Sequence, residues 1–450
     1  MKLTAIVGAT VIDGTGAEPV PDGVVLIEND TIRSVSRRAD TAIPDQAEVL
    51  DATGAYLIPG MMDANVHLVA TITPDLALQY EGRYEDVIAE AAQVCLAAGF
   101  TTVFDTWGPA GPLSRVRDRI ARGEIPGSRI FLAGNIVGFD GPLSPDFFDV
   151  GDLFSDETRR RINHEWAQGV GADLAWLPAE TLRDRVREYI ESTGVDFVKY
   201  AANDHLGRGL IAFSLDAQRV IVEEGHRAGM TVQAHTISVE GLRMEIEAGA
   251  DILQHGNLTG PESIPESTLR LLVERQLPIA ALYFTNRYRE WAAAEGRAGL
   301  HPNLFTEQLE HTNRRLIQAG ANLLLTTDIS AWGRTSDHPR LRVHRDAPPP
   351  RATLGEAHVA WLTAVIERGM TPMDALVSAT RKPAEAYSHP ELGRIASGRK
   401  ADLVLLDADP LADPQNYLRV RGVMKEGVSV ALDSLPSPRV LTDDPHRVER

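Results

Sequence analysis

Five side chains able to hold a metal ion fall, one after another, at the ends of apolar runs. They are His67 in AYLIPGMMDANVHL, Lys199 in VDFVKYAA, His235 in MTVQAHT, His255 in ADILQHG and Asp328 in ANLLLTTDIS. Neutral imidazole and carboxylate are the donors that divalent transition metals prefer. A lone histidine at a strand end is ordinarily a satisfied polar residue. Five ligand types in register with successive strands instead mark one site, and the chemistry such a site offers is metal-assisted.

The elements that must bring these residues together are legible as a rhythm. From Ile58 to about Tyr387, apolar β-like runs alternate with amphipathic helical stretches. GFTTVFDT, RIFLAGNIV and LPIAALYFTN complete the set of runs, making eight. Buried parallel strands alternating with helices predict an α/β fold, a (β/α)8 TIM-like barrel over residues 59–387. In such a barrel the C-terminal strand ends converge on one face, where its catalytic residues gather. The clearest helices are VIAEAAQVCLAAG, AQRVIVEEGHRAG, SVEGLRMEIEAGA and TNRRLIQAGA, several stopped by Ala-Gly.

Residues 1–58 alternate apolar and polar positions between turns, and ADLVLLDAD and VRGVMKEGVSVAL return to strand character. A small β-sandwich domain built from both termini, 1–58 and 388–433, accounts for this. The Gly-, Pro- and aromatic-rich stretch 138–180 breaks the rhythm and reads as a lid or pocket wall. Residues 434–450 read as a mobile tail or an arm on a partner subunit.

Composition bounds the partners. The chain has 450 residues, 43% hydrophobic and 24% charged, enough apolar material for a large core. A net charge of −18 argues against nucleic acid or an anionic membrane surface as partner. The single cysteine, Cys95, excludes an internal disulfide and reads as a buried core thiol. The N-terminus lacks a signal-peptide core and no apolar run is long enough to span a membrane. A cytoplasmic enzyme is the expectation.

GMMDANVHL, VQAHT, LQHG and TTDIS resemble the strand motifs of the amidohydrolase superfamily, and SATRKPAEAYSHPELGRIASGRKADLVLLDADPL resembles its C-terminal signature. The likeness spans nearly the whole chain and is greatest to the branch holding imidazolonepropionases and prolidase-like peptidases. It implies that His235 and His255 hold one divalent ion while His67 and Asp328 hold another. It also implies that Lys199, carboxylated by CO2 to a carbamate, bridges the two. Zn2+ suits these donors best, with Mn2+, Fe2+ or Co2+ as alternatives. A bound ion lowers the pKa of its water towards ~7 and polarises the scissile carbonyl. Asp328, Lys199 and His255 are then the catalytic candidates, Asp328 accepting the water's proton and passing it to a leaving nitrogen.

Most of the superfamily carries His-x-His on the first strand, where this chain has Asn65-Val66-His67. Period-2 alternation turns Asn65 and His67 to the same side. An amide oxygen is a weaker zinc ligand than imidazole, so Asn65 either holds the metal loosely or only hydrogen-bonds. The Asn-x-His pattern resembles phenylurea hydrolases and molinate (thiocarbamate) hydrolase. That likeness implies a small, neutral, apolar N-aryl urea or thiocarbamate as substrate, yielding an aniline or amine plus CO2.

Trp107, Phe139, Tyr200, His205, Tyr283 and Trp332 are the substrate-binding candidates near the predicted mouth, joined by Phe147, Phe148 and Phe284. Tyr200 should point away from Lys199 along its strand. Asn203 and His338 are lesser candidates; His164, His301, His311, His389 and His446 read as surface or structural. Arg83, Arg287 and Arg334 could anchor a substrate carboxylate, which keeps a prolidase-like dipeptidase or N-acyl amino acid hydrolase in view. A deaminase or cyclic-amide hydrolase and a non-catalytic binding protein with a decayed metal site are further readings. By analogy with the branch, a homo-oligomer is expected.

Overall fold

Alternating apolar positions near the N-terminus form β1 (Leu3–Val11), β2 (Val20–Glu28), β3 (Thr31–Arg37), β4 (Glu48–Asp51) and β5 (Tyr56–Pro59). The computed structural model describes residues 2–69, 74–145, 153–205, 209–294, 304–329 and 354–441, the side chains of 74–76 excepted. The expectations placed on Phe147, Phe148, His301, Trp332, Arg334, His338 and His446 lie outside the described residues.

Eight further strands follow at the predicted runs: β6 (Met61–Val66), β7 (Phe100–Asp105), β8 (Arg129–Leu132), β9 (Val198–Ala201), β10 (Val232–His235), β11 (Ile252–Gln254), β12 (Ile279–Ala280) and β13 (Leu323–Leu324). The chain closes with β14 (Leu403–Leu406), β15 (Val420–Lys425) and β16 (Val428–Ser429).

The strands of both termini join in a single eight-stranded sheet, where β14 runs antiparallel to β5. Within it β1 divides its second edge, pairing β4 at residues 4–7 and β5 at residues 10–11. The remaining eight strands are parallel, in a three-stranded sheet β6-β7-β8 and a five-stranded sheet β9 to β13. They do not form one continuous ladder. β12 and β13 each span two residues, and β6 slips register against β7.

Backbone hydrogen bonds nonetheless cross both gaps. Ala64 N donates to Leu325 O and Asp328 N to Asn65 O, each at 2.9 Å; Val137 N donates to Lys199 O at 2.8 Å and Ala201 N to Val137 O at 3.0 Å. The predicted first strand, AYLIPGMMDANVHL, is divided at Gly60 between the terminal and the parallel sheet. A Cβ there would lie 2.0 Å from Thr101 Oγ1, so the crossing point has no room for a side chain.

The parallel strands other than β8 are buried along their length because helices cover them. One such helix, Val239–Ala248, begins where the Ser238 hydroxyl accepts from Gly241 N and ends at Gly249 in the left-handed region. The tail expectation is corrected in part. Ser437 N donates to Gln93 Oε1 at 2.6 Å, and Val440 N and Leu441 N donate to buried Glu90, strapping this segment to the chain's own helix Tyr84–Ala97.

Asp63 ties the first parallel strand to the turn after the last. Its Oδ1 accepts from Asn65 N at 2.9 Å and Thr327 N at 3.2 Å, and its Oδ2 accepts from the Thr327 hydroxyl. His358 Nε2 stands 3.0 Å from Asp63 Oδ2, its ring stacked on Phe100. Removing such a buried acceptor strands several donors at once. Asp63→Ala should therefore lower the unfolding free energy by roughly 3 kcal/mol in urea titrations. A loss below ~1 kcal/mol would mean that the two strands do not depend on it.

Glu245 is buried against the parallel sheet with neither carboxylate oxygen hydrogen-bonded, and burial pushes its pKa well above the usual 4.5. A carboxyl kept neutral in the fold but ionised in the unfolded chain loses its stabilising balance as pH rises above about 4.5. Glu245→Met should melt above wild type, by a margin that widens from about pH 5 to pH 8. A margin that stays constant over that range would show that Glu245 does not resist ionisation.

Candidate metal centre

The strand ends bring Asn65, His67, Lys199, His235, His255 and Asp328 into one cluster. His67 Nε2 lies 2.9 Å from Asp328 Oδ1 and His255 Nε2 lies 3.6 Å from Asp328 Oδ2. The rings of His235 and His255 meet edge to face, with centroids 5.1 Å apart. Lys199 is 1% exposed, and its Nζ donates to the Thr106 hydroxyl at 3.1 Å. Two of these residues, His255 (φ 59°) and Asp328 (φ 52°), occupy the left-handed region, which non-glycine residues enter at a cost.

Electrostatics follow from burial. For Asp328, burial alone would raise the pKa, but His255, His67 and Lys199 outweigh it and hold the carboxyl well below its usual range. Burial, with His255 and His205 beside it, keeps His235 well below the ordinary histidine value, so its imidazole is neutral. Burial likewise brings Lys199 down to about 7, against the pull of Asp328 and Asp105.

Asn65 is held at both ends of its amide. Its Nδ2 donates to Asp328 Oδ1 at 2.9 Å and its Oδ1 accepts from the Thr106 hydroxyl. The amide oxygen is thus engaged by a neighbour of the same chain.

Among the described residues, no group of three or more His, Cys, Asp or Glu side chains is already spread at metal-ligand spacing. The donor chemistry fits a divalent ion all the same. His235 Nε2 and His67 Nδ1 are buried without a hydrogen-bond partner. A neutral imidazole nitrogen facing an ionised carboxylate and further imidazoles is what a bound cation would use.

The substrate candidates separate into two groups. Trp107 stands edge-on to His67 at 6.0 Å and donates its indole N–H to Asn135 Oδ1 at 3.0 Å. Phe139 lies edge-on to His235 at 5.9 Å, and the His205 ring is 5.8 Å from that of His235. These three adjoin the cluster.

Tyr200 and Tyr283 do not, and their placing among substrate residues is corrected. Tyr200 turns outward to Gln218 Oε1 at 3.0 Å, and Tyr283 donates to Asn313 O at 3.2 Å while packing edge-on to Trp361. Both hydroxyls are buried and take partners on the covering helices. Arg83 pairs with Asp86 on its own helix. In the 138–180 stretch, helix Asp156–Ala167 brings Trp166 against Trp107 and Tyr84, beside the cluster. Asn203 clasps two loops, its Oδ1 accepting from Thr236, Ile237 and Ser238.

Two residues at the end of β7 escaped the sequence reading. Asp105 accepts from Leu68 N at 2.7 Å and Trp107 N at 3.2 Å, and burial pushes it up to about 6. Thr106 links Lys199 to Asn65. The signal was present, since Asp-Thr ends GFTTVFDT where the other strands carry their ligands.

The chain is similar to known proteins over most of its length. A solved structure of molinate hydrolase is 36% identical, covering 100% of this chain and 99% of that one, with a TM-score of 0.91. Phenylurea hydrolase B is 35% identical, covering 99% and 100%, with a TM-score of 0.91. Imidazolonepropionase of Anaeromyxobacter sp. (strain K) is 24% identical over 417 residues, 86% of this chain and 84% of that protein. The sequence profile of the amidohydrolase family matches residues 56–430. The chain belongs to the amidohydrolase family and is an amidohydrolase enzyme.

Proposed function

We propose that this enzyme hydrolyses an amide-like C–N bond in a small, neutral, apolar substrate, an N-aryl urea or a thiocarbamate. The observation that carries this reading is the end-to-end similarity, at 35–36% identity, to phenylurea hydrolase B and molinate hydrolase. Asn65-Val66-His67 supports it from the sequence side. Trp107 beside His67 and Phe139 beside His235 support it from the structure, as apolar surfaces flanking the cluster.

In this reading the two parallel sheets are the halves of one (β/α)8 barrel, linked by the hydrogen bonds across both gaps. The divided edge of β1 supports a sandwich for the terminal strands, because a strand that changes partners can serve two layers.

His67, His235, His255 and Asp328 would hold one or two divalent ions, with Zn2+ the first choice. When bound, such an ion polarises the scissile carbonyl and makes a water acidic enough to react near pH 7. Asp328 is kept ionised by its neighbours, so its carboxylate would accept the proton of an attacking water and pass it to the departing nitrogen. Hydrolysis of an aryl urea then releases the aniline. The carbamic acid left behind breaks into CO2 and the second amine. Lys199, brought down to about 7 by burial, offers a share of neutral amine near neutral pH. That nitrogen can attack CO2, forming an N–C bond and losing one proton, to give the carbamate.

Protein purified with bicarbonate and Zn2+ should carry at least one metal per chain and release aniline from a phenylurea such as diuron. Lys199→Ala and Asp328→Asn should each lower turnover by roughly 100-fold or more. Bound metal with no aniline release, alongside rapid cleavage of N-acyl amino acids, would overturn the urea reading.

A further inference from the structure

The site contains a hydrogen-bond relay that uses none of the expected ligand contacts. Lys199 Nζ donates to Thr106 Oγ1 at 3.1 Å, the Thr106 hydroxyl donates to Asn65 Oδ1, and Asn65 Nδ2 donates to Asp328 Oδ1 at 2.9 Å. Asn65 and Thr106 are both fully buried and Lys199 nearly so, while the Asp328 end of the relay is part-buried.

The direction of this relay follows from the inventory of donors and acceptors. The Asn65 amide nitrogen, which can only donate, faces Asp328 Oδ1. The amide oxygen is then turned to the other side, where it only accepts. Thr106 has a single hydroxyl proton, and the amide oxygen takes it. Thr106 can therefore meet Lys199 only through a lone pair, and Lys199 must donate. An ammonium, a neutral amine and the N–H of a carbamate each retain a hydrogen on Nζ that can be donated.

We infer that Thr106 is a positioning residue, whose hydroxyl locks Asn65 as a donor to Asp328 and withholds its amide oxygen from a metal. The inference rests on the metal-centre reading given above. It assigns the first-strand amide the task of orienting the Asp328 carboxylate, and it gives β7 a part in the site. Valine at 106 would keep the β-branched shape while removing both hydrogen-bonding functions. Serine would keep the hydroxyl.

The test uses Co2+ as probe with the full-length wild type, Thr106→Ser, Thr106→Val, Asn65→Ala and the Val/Ala double variant. Affinity is read by chelator competition and ligand geometry by the visible absorption of bound Co2+. Thr106→Ser should match wild type in both. Thr106→Val and Asn65→Ala should alter the spectrum alike and weaken binding by about 10-fold each. The double variant should lose about the same 10-fold, not 100-fold, because both substitutions break one relay.

A wild-type spectrum and affinity in Thr106→Val would overturn the inference, as would additive losses in the double variant. So would loss of a metal from Asn65→Ala alone, which would make its oxygen a ligand. Wild type that binds no Co2+ would sink the metal centre instead. The same four-way cycle in urea unfolding of the metal-free proteins then decides the relay, additivity there overturning it.

Discussion

A carboxylate drawn most of the way out of water is costly unless donors and cations surround it. Asp328 is surrounded only because the first parallel strand stands beside the turn that follows the last. Asn65 comes to it from β6 and His67 from just past its end, His255 from the end of β11, and Lys199 acts on it from β9. No local segment supplies this set, since Asn65 and His67 lie more than 260 residues away in the chain. The short ladders of β12 and β13 would close that edge weakly by themselves. Charge and hydrogen bonding around Asp328 add to the backbone bonds between β6 and the segment after β13, and Asp63 adds a second tie through Thr327.

The same demand explains the backbone around the cluster. His255, directly after β11, and Asp328, four residues beyond β13, turn into the left-handed region, a conformation costing roughly 1–3 kcal/mol for residues with a Cβ. Their backbone groups remain bonded: His255 N donates to Ala280 O and Asp328 N to Asn65 O. The turn redirects each side chain without leaving its amide unsatisfied. The local strain is offset by contacts that exist only when the strands have assembled, so the site and the fold are stabilised together.

That dependence sets what the sequence could reveal. The eight parallel runs and the ligand types at their ends were legible because each is local: apolar residues, then a polar one, then a helix. Tyr200 was legible as outward-facing because a strand alternates sides. Tyr283 was not, because it follows a two-residue strand by three positions and no periodicity assigns its direction. Its destination is decided by a carbonyl on a covering helix, at Asn313. Asp63 and Thr106 were hidden for a related reason. Both sit inside runs that read as strand, and their roles lie in partners brought from elsewhere in the chain. The docking of residues 437–441 was hidden because a polar, proline-rich end gives no sign that Glu90 and Gln93 await its backbone.

An amide at position 65 also differs from an imidazole in more than metal affinity. Neutral imidazole chooses which nitrogen carries its proton, so it can face either a cation or a carboxylate. An amide has a fixed donor end and a fixed acceptor end. Once its nitrogen faces Asp328, its oxygen must find a donor on the opposite side, and in this buried setting an unmet oxygen would cost ~1–3 kcal/mol. Thr106 meets that need, and Lys199 in turn meets the lone pair of Thr106. A single change from imidazole to amide on the first strand thus constrains side chains on the second and fourth parallel strands. For that reason Asn65, Thr106 and Lys199 are better understood as one hydrogen-bonded unit than as three independent choices.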